Sequence, residues 1–273
     1  MSRHSATQRH AKMVTDPRRT PALLRAVKAA VRPGDTVLDI GTGLGVLAIA
    51  AAKAGAQRVF ACDVDRAALA EARQNAKREG FAGKIKFIRG LSHDISIPAR
   101  ADVILCETVG SFAFDENILT TLSDARIRLL AREGRIVPAR LELWGALLER
   151  VPRLEMPAEI GRVSSRDLLS KPRMLDAIDF ASSIPEWIHV QARFKIKHKG
   201  TVRALAVWPR AIWWGKELSD ASPLLKPTHW KQGILPLEPR VVTRCDSADI
   251  ELIIQPHPDD PHTMTERLWR WIE

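Results

Sequence analysis

The sequence predicts an α/β fold in which a doubly wound parallel sheet is followed by a mostly antiparallel, barrel-like β domain. In the first half of the chain, short apolar runs alternate with segments of helical length, as in parallel sheets with crossover helices. After about Pro138 these helical segments stop, and β-like stretches are separated by Pro, Gly, Asp and Ser. We therefore predict one domain over residues 1–138, with a short N-terminal helix, and a second over residues 139–273.

The elements of the first half follow from apolar runs and glycine stops. TVLDI predicts a strand, and GVLAIAAAKAG predicts a helix that ends at Gly55. RVFACDVD and RAALAEARQNAKREG predict the next strand and helix. KIKFIRG, ADVILCE and GRIVPARLELW are predicted strands, and LTTLSDARIRLLAREG is a predicted helix that ends at Gly134. In the second half, IHVQARFKIKHKG, TVRALAVW and ADIELIIQ predict strands, and LLKPTHWKQGILP predicts a loop.

Composition is typical of a globular protein. Of the 273 residues, 45% are hydrophobic and 27% are charged. No apolar run approaches the roughly 20 residues of a membrane span, and the polar N-terminus lacks the apolar core of a secretory signal. The three cysteines have no metal-ligand spacing. These features predict a cytoplasmic protein with reduced thiols, no metal and no membrane partner.

The net charge is +10, and most of it lies in the first 138 residues. Such a surplus favours anionic partners, including nucleic acid. The basic residues are dispersed, however, and many fall on predicted helix faces, as in RQNAKREG. We therefore expect a solvated basic surface and no nucleic-acid partner. A non-catalytic nucleic-acid-binding module remains an alternative hypothesis.

A glycine-rich turn between the first strand and its helix predicts a cofactor site. It contains Asp39, Gly41, Gly43 and Gly45, and glycines at this point let the backbone approach a ligand closely. Asp63, at the end of the second strand, can accept both hydroxyls of a ribose. The spacing differs from the Gly-x-Gly-x-x-Gly of dinucleotide sites. Asp39 would repel a phosphate but could bind a methionine ammonium, so the turn favours S-adenosyl-L-methionine. A helix cap for Asp39 and a turn role for Asp63 are the structural alternatives.

The stretch VLDIGTGLGVLAIAAAKAGAQRVFACDVD resembles the Rossmann-like domain of class I S-adenosylmethionine-dependent methyltransferases, including the ribosomal protein L11 lysine methyltransferases. Three further segments resemble the protein arginine N-methyltransferases. These are HAKMVTDPRRT, then DVILCETVGSFAFDENIL with its two glutamates, and Thr228-His229-Trp230-Lys231-Gln232. Together they identify the chain as a short, divergent member of that family.

The chemistry of arginine explains the two glutamates, Glu107 and Glu116. A guanidinium stays protonated and delocalises its charge, so its nitrogens are poor nucleophiles. Two carboxylates can hold its planar fork through charge-assisted hydrogen bonds and aim one nitrogen at a methyl donor. We predict that Glu107 and Glu116 form this catalytic clamp. A strand-end acid and a surface acid are their structural alternatives.

The resemblance also implies roles for residues on both sides of the cofactor. Arg19 would pair with the methionine carboxylate, Met13 would pack near the methyl group, and His10 and Glu107 would also lie against the cofactor. His93, or Ser92 beside it, falls where the family contacts the adenine.

His229 and Asp16 would meet across the two domains, where the pair could accept or relay the proton lost on methylation. A structural hydrogen bond between the domains is the alternative for this pair.

Departures from the family pattern bear on the acceptor and the assembly. Thr108 and Val109 replace the usual Trp-Met, which should reshape the acceptor pocket. LERVPRLEMPAEIGRV is shorter than the arm through which the family forms homodimers. A chain of charge +10 should also repel Arg-rich tails. We therefore expect an arginine-type guanidinium in a protein, peptide or free amino acid. Lysine and a small-molecule amine are the alternative acceptors.

Overall fold

The computed structural model describes residues 16–156 and 159–272. The helices are α1 (Arg19–Ala30), α2 (Val46–Lys53), α3 (Arg66–Arg78) and α4 (Ile118–Arg128). The strands of the first half are β1 (Thr36–Ile40), β2 (Arg58–Asp63), β3 (Ile85–Arg89), β4 (Ala101–Cys106) and β5 (Leu130–Val137). The later strands are β6 (Arg140–Leu148), β7 (Ile160–Gly161), β8 (Arg173–Asp179), β9 (Ile188–Lys195), β10 (Gly200–Trp214), β11 (Glu217–Asp220), β12 (Gln232–Val242), β13 (Ser247–His257) and β14 (Asp260–Trp271).

The first five strands form a parallel sheet in the order β3-β2-β1-β4-β5. Its central strand β1 is buried on both faces because helices cover the sheet, and Ile40 pairs with Cys62 of β2 and with Cys106 of β4. The strand order reverses between β1 and β4. In a doubly wound sheet this reversal opens a crevice at the carboxyl ends of the strands, which is where ligands bind.

The helices carry the local signals that their sequences suggest. Asp65 caps α3 because its carboxylate accepts hydrogen bonds from the amides of Ala67, at 2.7 Å, and Ala68, at 3.2 Å. The alanine-rich helix α2 buries Ala48, Ala51 and Ala52 against the core. Small side chains on that face let the helix lie close to the sheet.

The remaining strands form two antiparallel sheets. One has the order β7-β12-β10-β6-β8, with β11 paired to β10, and the other has the order β14-β13-β9. Alternation is strict in β9, where Ile188, Val190, Ala192 and Phe194 are buried and the residues between them are exposed. The chain passes from the parallel sheet to the antiparallel sheets between Val137 and Arg140.

Three predicted element boundaries are wrong. The predicted loop LLKPTHWKQGILP ends at Lys231, because its last five residues begin β12. The helix predicted to run to Gly134 ends at Arg128, and Leu130–Val137 form β5 instead. Leu130 pairs with Ala101 of β4, and the register shifts before the pairing resumes at Arg135. Edge pairing in the sheet therefore overrides the helical pattern of LLAREG. The single strand predicted for GRIVPARLELW is divided into the end of β5 and the start of β6.

In the part of the chain that the structure describes, no helix is long and apolar enough to cross a membrane. The three cysteines are free thiols. Cys62 and Cys106 are buried, and burial raises the pKa of Cys62 to about 12 and that of Cys106 to about 11. Both therefore stay protonated as core residues at neutral pH.

Candidate active site

A cavity of about 370 Å³ lies at the carboxyl ends of β1, β2 and β4. It brings together several residues singled out from the sequence, and its lining comprises Arg19, Thr20, Leu23, Asp39, Gly41, Thr42, Gly43, Leu44, Val46, Leu47, Asp63, Val64, Leu91, Glu107, Thr108, Glu116 and Thr121. Among the described residues, no group of three or more His, Cys, Asp or Glu side chains could hold a metal ion.

The glycine turn forms one wall of this cavity. Gly41 adopts a φ of 69°, in the region that favours glycine. A Cβ at this position would lie 3.1 Å from the Cγ2 of Thr108, so the turn approaches the start of the double-glutamate loop closely. We use "double-glutamate loop" for residues 107–116. Gly43, in the same turn, also lines the cavity.

Gly45 precedes α2, with a φ of 80°, and does not line the cavity itself. A Cβ on Gly45 would lie 3.1 Å from the Cβ of Ala72 on α3. The residue therefore has a packing role, because it lets α2 and α3 approach each other. Its predicted cofactor contact stays a prediction.

Asp39 is buried to 1% exposure beneath the glycine turn. Its Oδ2 accepts hydrogen bonds from the Thr42 hydroxyl, at 2.6 Å, and from the Ala48 amide, at 3.0 Å. None of the described residues donates a hydrogen bond to its Oδ1, although this atom is buried. Burial raises the pKa of Asp39 to about 7, and the nearby charge of Asp63 adds to the shift. A buried acceptor beside the cavity fits a cationic group such as an ammonium, which would satisfy it.

Asp63 lies at the end of β2, where the sequence placed it. Its Oδ2 accepts a hydrogen bond from the Gly43 amide at 2.8 Å, and its Oδ1 accepts one from the Asp65 amide at 2.9 Å. These bonds fix the carboxylate against the cavity. Each oxygen retains a lone pair that could accept a hydroxyl donor from a ribose.

Glu107 follows β4 and pairs with the guanidinium of Arg19 from the same chain. Arg19 donates from Nε to Oε1 of Glu107 at 3.1 Å, and its Nη2 pairs with Oε2. The two side chains are 5% and 10% exposed. Burial lowers the pKa of Arg19 to about 10, while the negative charges of Asp16 and Glu116 oppose the shift. Glu107 thus has the position and orientation to bind a planar guanidinium through both carboxylate oxygens.

Glu116 lines the same cavity at the end of the double-glutamate loop. Part of the residue is exposed, but protein surrounds its carboxyl group on most sides. This burial raises its pKa to about 7, the charge of Asp115 raises it further, and that of Arg19 opposes the shift. Glu116 therefore changes its charge near neutral pH.

Asp16 joins the start of α1 to the loop Thr228–Gln232, which we call the THW loop. Its Oδ1 accepts hydrogen bonds from the amides of Arg18, at 2.8 Å, and Arg19, at 2.9 Å. Its Oδ2 contacts the amide of His229 and lies 3.0 Å from the Nδ1 of the same residue. Burial alone would raise the pKa of Asp16, but these hydrogen bonds outweigh it and lower the pKa to about 2.

His229 is neutral at pH 7 in this setting. Burial lowers its pKa to about 4, the charges of Arg19 and Arg162 act in the same direction, and Asp16 opposes them. Next in the loop, Trp230 is buried and donates from Nε1 to the carbonyl of Val109 at 2.9 Å. The THW loop is therefore fixed to the parallel-sheet half at two points.

Three other predicted cofactor contacts involve His93, Met13 and His10. The Nδ1 of His93 lies 3.5 Å from Asp124 of α4, and the residue does not line the cavity. The adenine contact predicted for His93, or for Ser92 beside it, stays a prediction. Met13 and His10 lie outside the residues that the structure describes.

The sequence analysis missed several residues that shape the site. Leu91, Thr121 and Leu23 line the cavity, but single apolar or hydroxyl residues carry no recognisable motif. Arg267 lies over Phe112 of the double-glutamate loop, with its Cζ 4.1 Å from the ring centroid. Only the three-dimensional arrangement reveals such a contact between distant parts of the chain.

The chain is similar to known methyltransferases. The model of the ribosomal protein L11 methyltransferase family, PrmA, matches residues 18–139. A protein of Streptomyces achromogenes subsp. streptozoticus named Arginine N(omega)-methyltransferase is 30% identical over 266 residues, which cover 87% of this chain and 73% of that protein. Protein arginine N-methyltransferase 1 of Oryza sativa subsp. indica is 26% identical, with coverage of 85% and 67%.

Solved structures confirm the predicted fold class. The Trypanosoma brucei PRMT1 enzyme-prozyme heterotetrameric complex with AdoHcy superposes with a TM-score of 0.82 at 20% identity, covering 97% of this chain and 98% of that one. Protein Arginine Methyltransferase 10 of Arabidopsis thaliana gives a TM-score of 0.82 at 18% identity, covering 97% of each chain. A Rossmann-like parallel sheet followed by antiparallel sheets is thus shared with these structures.

Proposed function

This chain belongs to the family of arginine N-methyltransferases, and we propose from that premise that it methylates an arginine guanidinium held between Glu107 and Glu116. It is an S-adenosylmethionine-dependent methyltransferase. The observation that carries the proposal is the meeting of both glutamates in one cavity with Asp39 and Asp63. That arrangement puts the acceptor clamp next to the cofactor site. It also replaces the alternative hypothesis of a non-catalytic nucleic-acid-binding module.

The cavity residues fit the polar groups of the cofactor. S-adenosylmethionine supplies an electrophilic methyl group when it is bound. Asp63 would hold the ribose hydroxyls, and the Oδ1 of Asp39 would accept from the methionine ammonium. Arg19, which lines the cavity and carries a positive charge, would hold the methionine carboxylate. The two charge assignments agree in sign, since the methionine ammonium meets a carboxylate and the methionine carboxylate meets a guanidinium.

The clamp would orient the acceptor guanidinium and shift its positive charge. Two carboxylates on one guanidinium draw positive charge towards the nitrogens that they hold, leaving a terminal nitrogen to face the methyl group. Arg19 demonstrates that Glu107 can take a guanidinium through both oxygens. We propose that the acceptor makes equivalent contacts with Glu107 and Glu116.

The proton released on methylation has a well-matched acceptor in Glu116. General bases act best when their pKa lies near the working pH, and the pKa of Glu116 is about 7. His229, with a pKa lowered to about 4 by burial and by the charge of Arg19, is a weak base at neutral pH. We propose that Glu116 takes the proton, and that the bond between His229 and Asp16 chiefly holds the THW loop against α1.

We propose free arginine, or a single arginine in a neutral or acidic peptide, as the acceptor. The net charge of +10 opposes the approach of Arg-rich protein tails. The Streptomyces relative is also named for arginine without mention of protein. Thr108 and Val109 leave smaller side chains beside the clamp than the tryptophan and methionine usual in the family.

The test is product identification with the unmodified enzyme. Labelled S-adenosylmethionine would be supplied with free arginine, with peptides that carry one arginine and differ in charge, and with lysine peptides. Mass spectrometry would then locate the methyl group. We expect methylarginine, formed fastest from the free amino acid or from neutral and acidic peptides. Label on lysine alone would contradict the proposed function, and a preference for Arg-rich peptides would contradict the proposed acceptor.

A further inference from the structure

A group of cations surrounds the THW loop at the surface. We call it the cationic rim and define it as Arg18, Arg162 and Lys226. The three residues come from the segment before α1, from the segment after β7 and from the loop before β12. All three are exposed, whereas Thr228 and Trp230 beneath them are buried. The rim therefore presents charge to solvent around the THW loop.

Backbone carbonyl groups hold the two arginines of the rim in place. Arg162 donates from Nη2 to the carbonyl of Thr228 at 2.8 Å and from Nη1 to the carbonyl of Trp230 at 3.5 Å. Arg18 donates from Nη1 to the carbonyl of Lys226 at 3.3 Å. A guanidinium has five N–H donors, so each arginine keeps at least three for another acceptor. Both guanidinium groups are thus anchored and still able to bind.

No carboxylate neutralises this charge in the part of the chain that the structure describes, where none forms an ion pair with Arg18, Arg162 or Lys226. The acidic residues closest to the loop have partners of their own. Their pairs are Asp16 with His229, Glu155 with Lys231, and Glu159 with Arg267. The rim is therefore a local positive surplus that an incoming anion could compensate.

The rim is linked to the clamp through a short series of contacts. Arg162 bonds the carbonyls on either side of His229, and His229 contacts Asp16. Asp16 in turn accepts from the amide of Arg19, whose side chain pairs with Glu107. Burial is the main cause of the lowered pKa of His229, and the charge of Arg162 contributes to it, which places that guanidinium within electrostatic reach of the ring. The rim is therefore connected to the clamp through the THW loop, and its three residues stand outside the cavity lining.

We propose that Arg162, assisted by Arg18, binds the α-carboxylate of the acceptor and thereby makes free arginine the preferred substrate. This inference rests on the proposed function. The clamp would recognise the guanidinium at one end of the amino acid, and the rim would recognise the carboxylate at the other. An internal arginine of a protein has an amide in place of that carboxylate and would leave the rim without a partner. Arg162 is thus a specificity-determining residue.

Two acceptors of equal net charge test the inference with the unmodified enzyme. Free arginine and Nα-acetylarginine amide each carry a net charge of about +1 at neutral pH, but only free arginine has a carboxylate. Their comparison removes the general effect of the basic surface. We expect kcat/KM for free arginine to exceed that for the amide by about tenfold or more, as one charge-assisted hydrogen bond would give. The difference should lie mainly in KM.

Variants then assign the preference to the rim. Arg162→Ala should lower kcat/KM for free arginine about tenfold or more and leave that for Nα-acetylarginine amide within about twofold. Arg162→Lys retains the charge and should keep part of the preference. Arg166→Ala removes an exposed arginine four positions along the chain and serves as the matched control. This variant should leave kcat/KM unchanged for both acceptors.

The outcomes separate this inference from the proposed function. Equal kcat/KM values for the two acceptors in the unmodified enzyme would contradict carboxylate recognition. An equal fall in kcat/KM for both acceptors in Arg162→Ala would contradict it too. Neither result would contradict the clamp. An equal loss would instead show that Arg162 only supports the THW loop. Methylation of neither acceptor would overturn the proposed function and this inference with it.

Discussion

At the scale of single residues, the environment gives three carboxyl groups of one site very different proton affinities. Asp16 accepts hydrogen bonds from two amides at the start of α1 and from His229, and these bonds lower its pKa to about 2 despite its burial. At Asp39 the hydrogen bonds from Thr42 and Ala48 do not outweigh burial, and burial raises the pKa of both Asp39 and Glu116 to about 7. Asp16 is thus always charged at neutral pH, whereas Glu116 and Asp39 titrate there.

The raised pKa of Glu116 predicts a pH dependence for acceptor use. Below about pH 7 Glu116 is protonated and cannot hold a cationic guanidinium, so kcat/KM for the acceptor should rise as the pH increases from 6 to 8. Steady-state kinetics with varied acceptor and saturating cofactor would measure this, and saturation keeps the titration of Asp39 from affecting the result.

The matched control for the pH profile is Glu133→Gln, which alters an exposed glutamate of β5. This variant should retain the rise, whereas Glu116→Gln should abolish it along with most of the activity. A profile that is flat between pH 6 and 8 in the unmodified enzyme would contradict the assigned role of Glu116.

At the scale of elements, the double-glutamate loop depends on a close approach between Gly110 and Asp115. The Oδ1 of Asp115 accepts a hydrogen bond from the Phe112 amide at 3.1 Å. A Cβ on Gly110 would lie 2.6 Å from the Cγ of Asp115, which is closer than real Cβ contacts come. The carboxyl group of Asp115 therefore closes the loop across a space that only glycine leaves free, and this closure sets the position of Glu116.

Gly110→Ala should disrupt acceptor binding and spare the cofactor site. We expect kcat/KM for the acceptor to fall about tenfold or more, because a displacement of about 1 Å in a catalytic group can cost a hundredfold. The affinity for S-adenosylhomocysteine, measured by calorimetry, should change by less than about threefold, since the glycine turn lies outside the loop.

Gly83→Ala is the matched control, since no atom lies within 4 Å of a Cβ added at that position. It should leave both the affinity and the turnover unchanged. An unaffected acceptor kcat/KM in Gly110→Ala would show that Asp115 does not determine the shape of the loop.

Other elements show which features a sequence can reveal. The glycine turn, Asp63 and the two glutamates could be placed from sequence because each occupies a fixed position relative to a strand end. The end of α4 could not be placed from sequence, because the pairing of Leu130 with Ala101 in the sheet determines where the helix stops. The position of His93 depends on a turn of the chain towards Asp124. Contacts such as Arg19 with Glu107, and the pKa of Glu116, arise only when distant segments meet.

At the scale of the whole molecule, the antiparallel half holds the double-glutamate loop of the parallel half. Trp230 donates to the Val109 carbonyl at 2.9 Å, and the Thr265 hydroxyl donates to the Asp115 carbonyl at 3.0 Å. The aromatic ring of Phe112 contacts Arg267 and lies close to the backbone of Gly233. The double-glutamate loop is thus held by both halves, and we expect them to unfold together.

Cofactor binding should therefore stabilise the entire chain. A ligand that binds only the folded state contributes about 2.7 kcal/mol when its concentration is a hundred times its Kd. We expect S-adenosylhomocysteine at that excess to raise the temperature of a single calorimetric transition by several degrees. Asp63→Ala should reduce the shift at the same ligand concentration. Two transitions, of which only one responds to the ligand, would contradict the coupling of the halves.

The central claim is that Glu107 and Glu116 together hold the acceptor guanidinium. The most direct measurement is labelled methyl transfer to free arginine by the unmodified enzyme, Glu107→Gln and Glu116→Gln, with S-adenosylhomocysteine affinity measured in parallel. We expect each substitution to lower kcat/KM for arginine by about a hundredfold or more, as the loss of a preorganised electrostatic contact does. Turnover retained within about threefold in either variant, with cofactor affinity unchanged, would contradict the clamp.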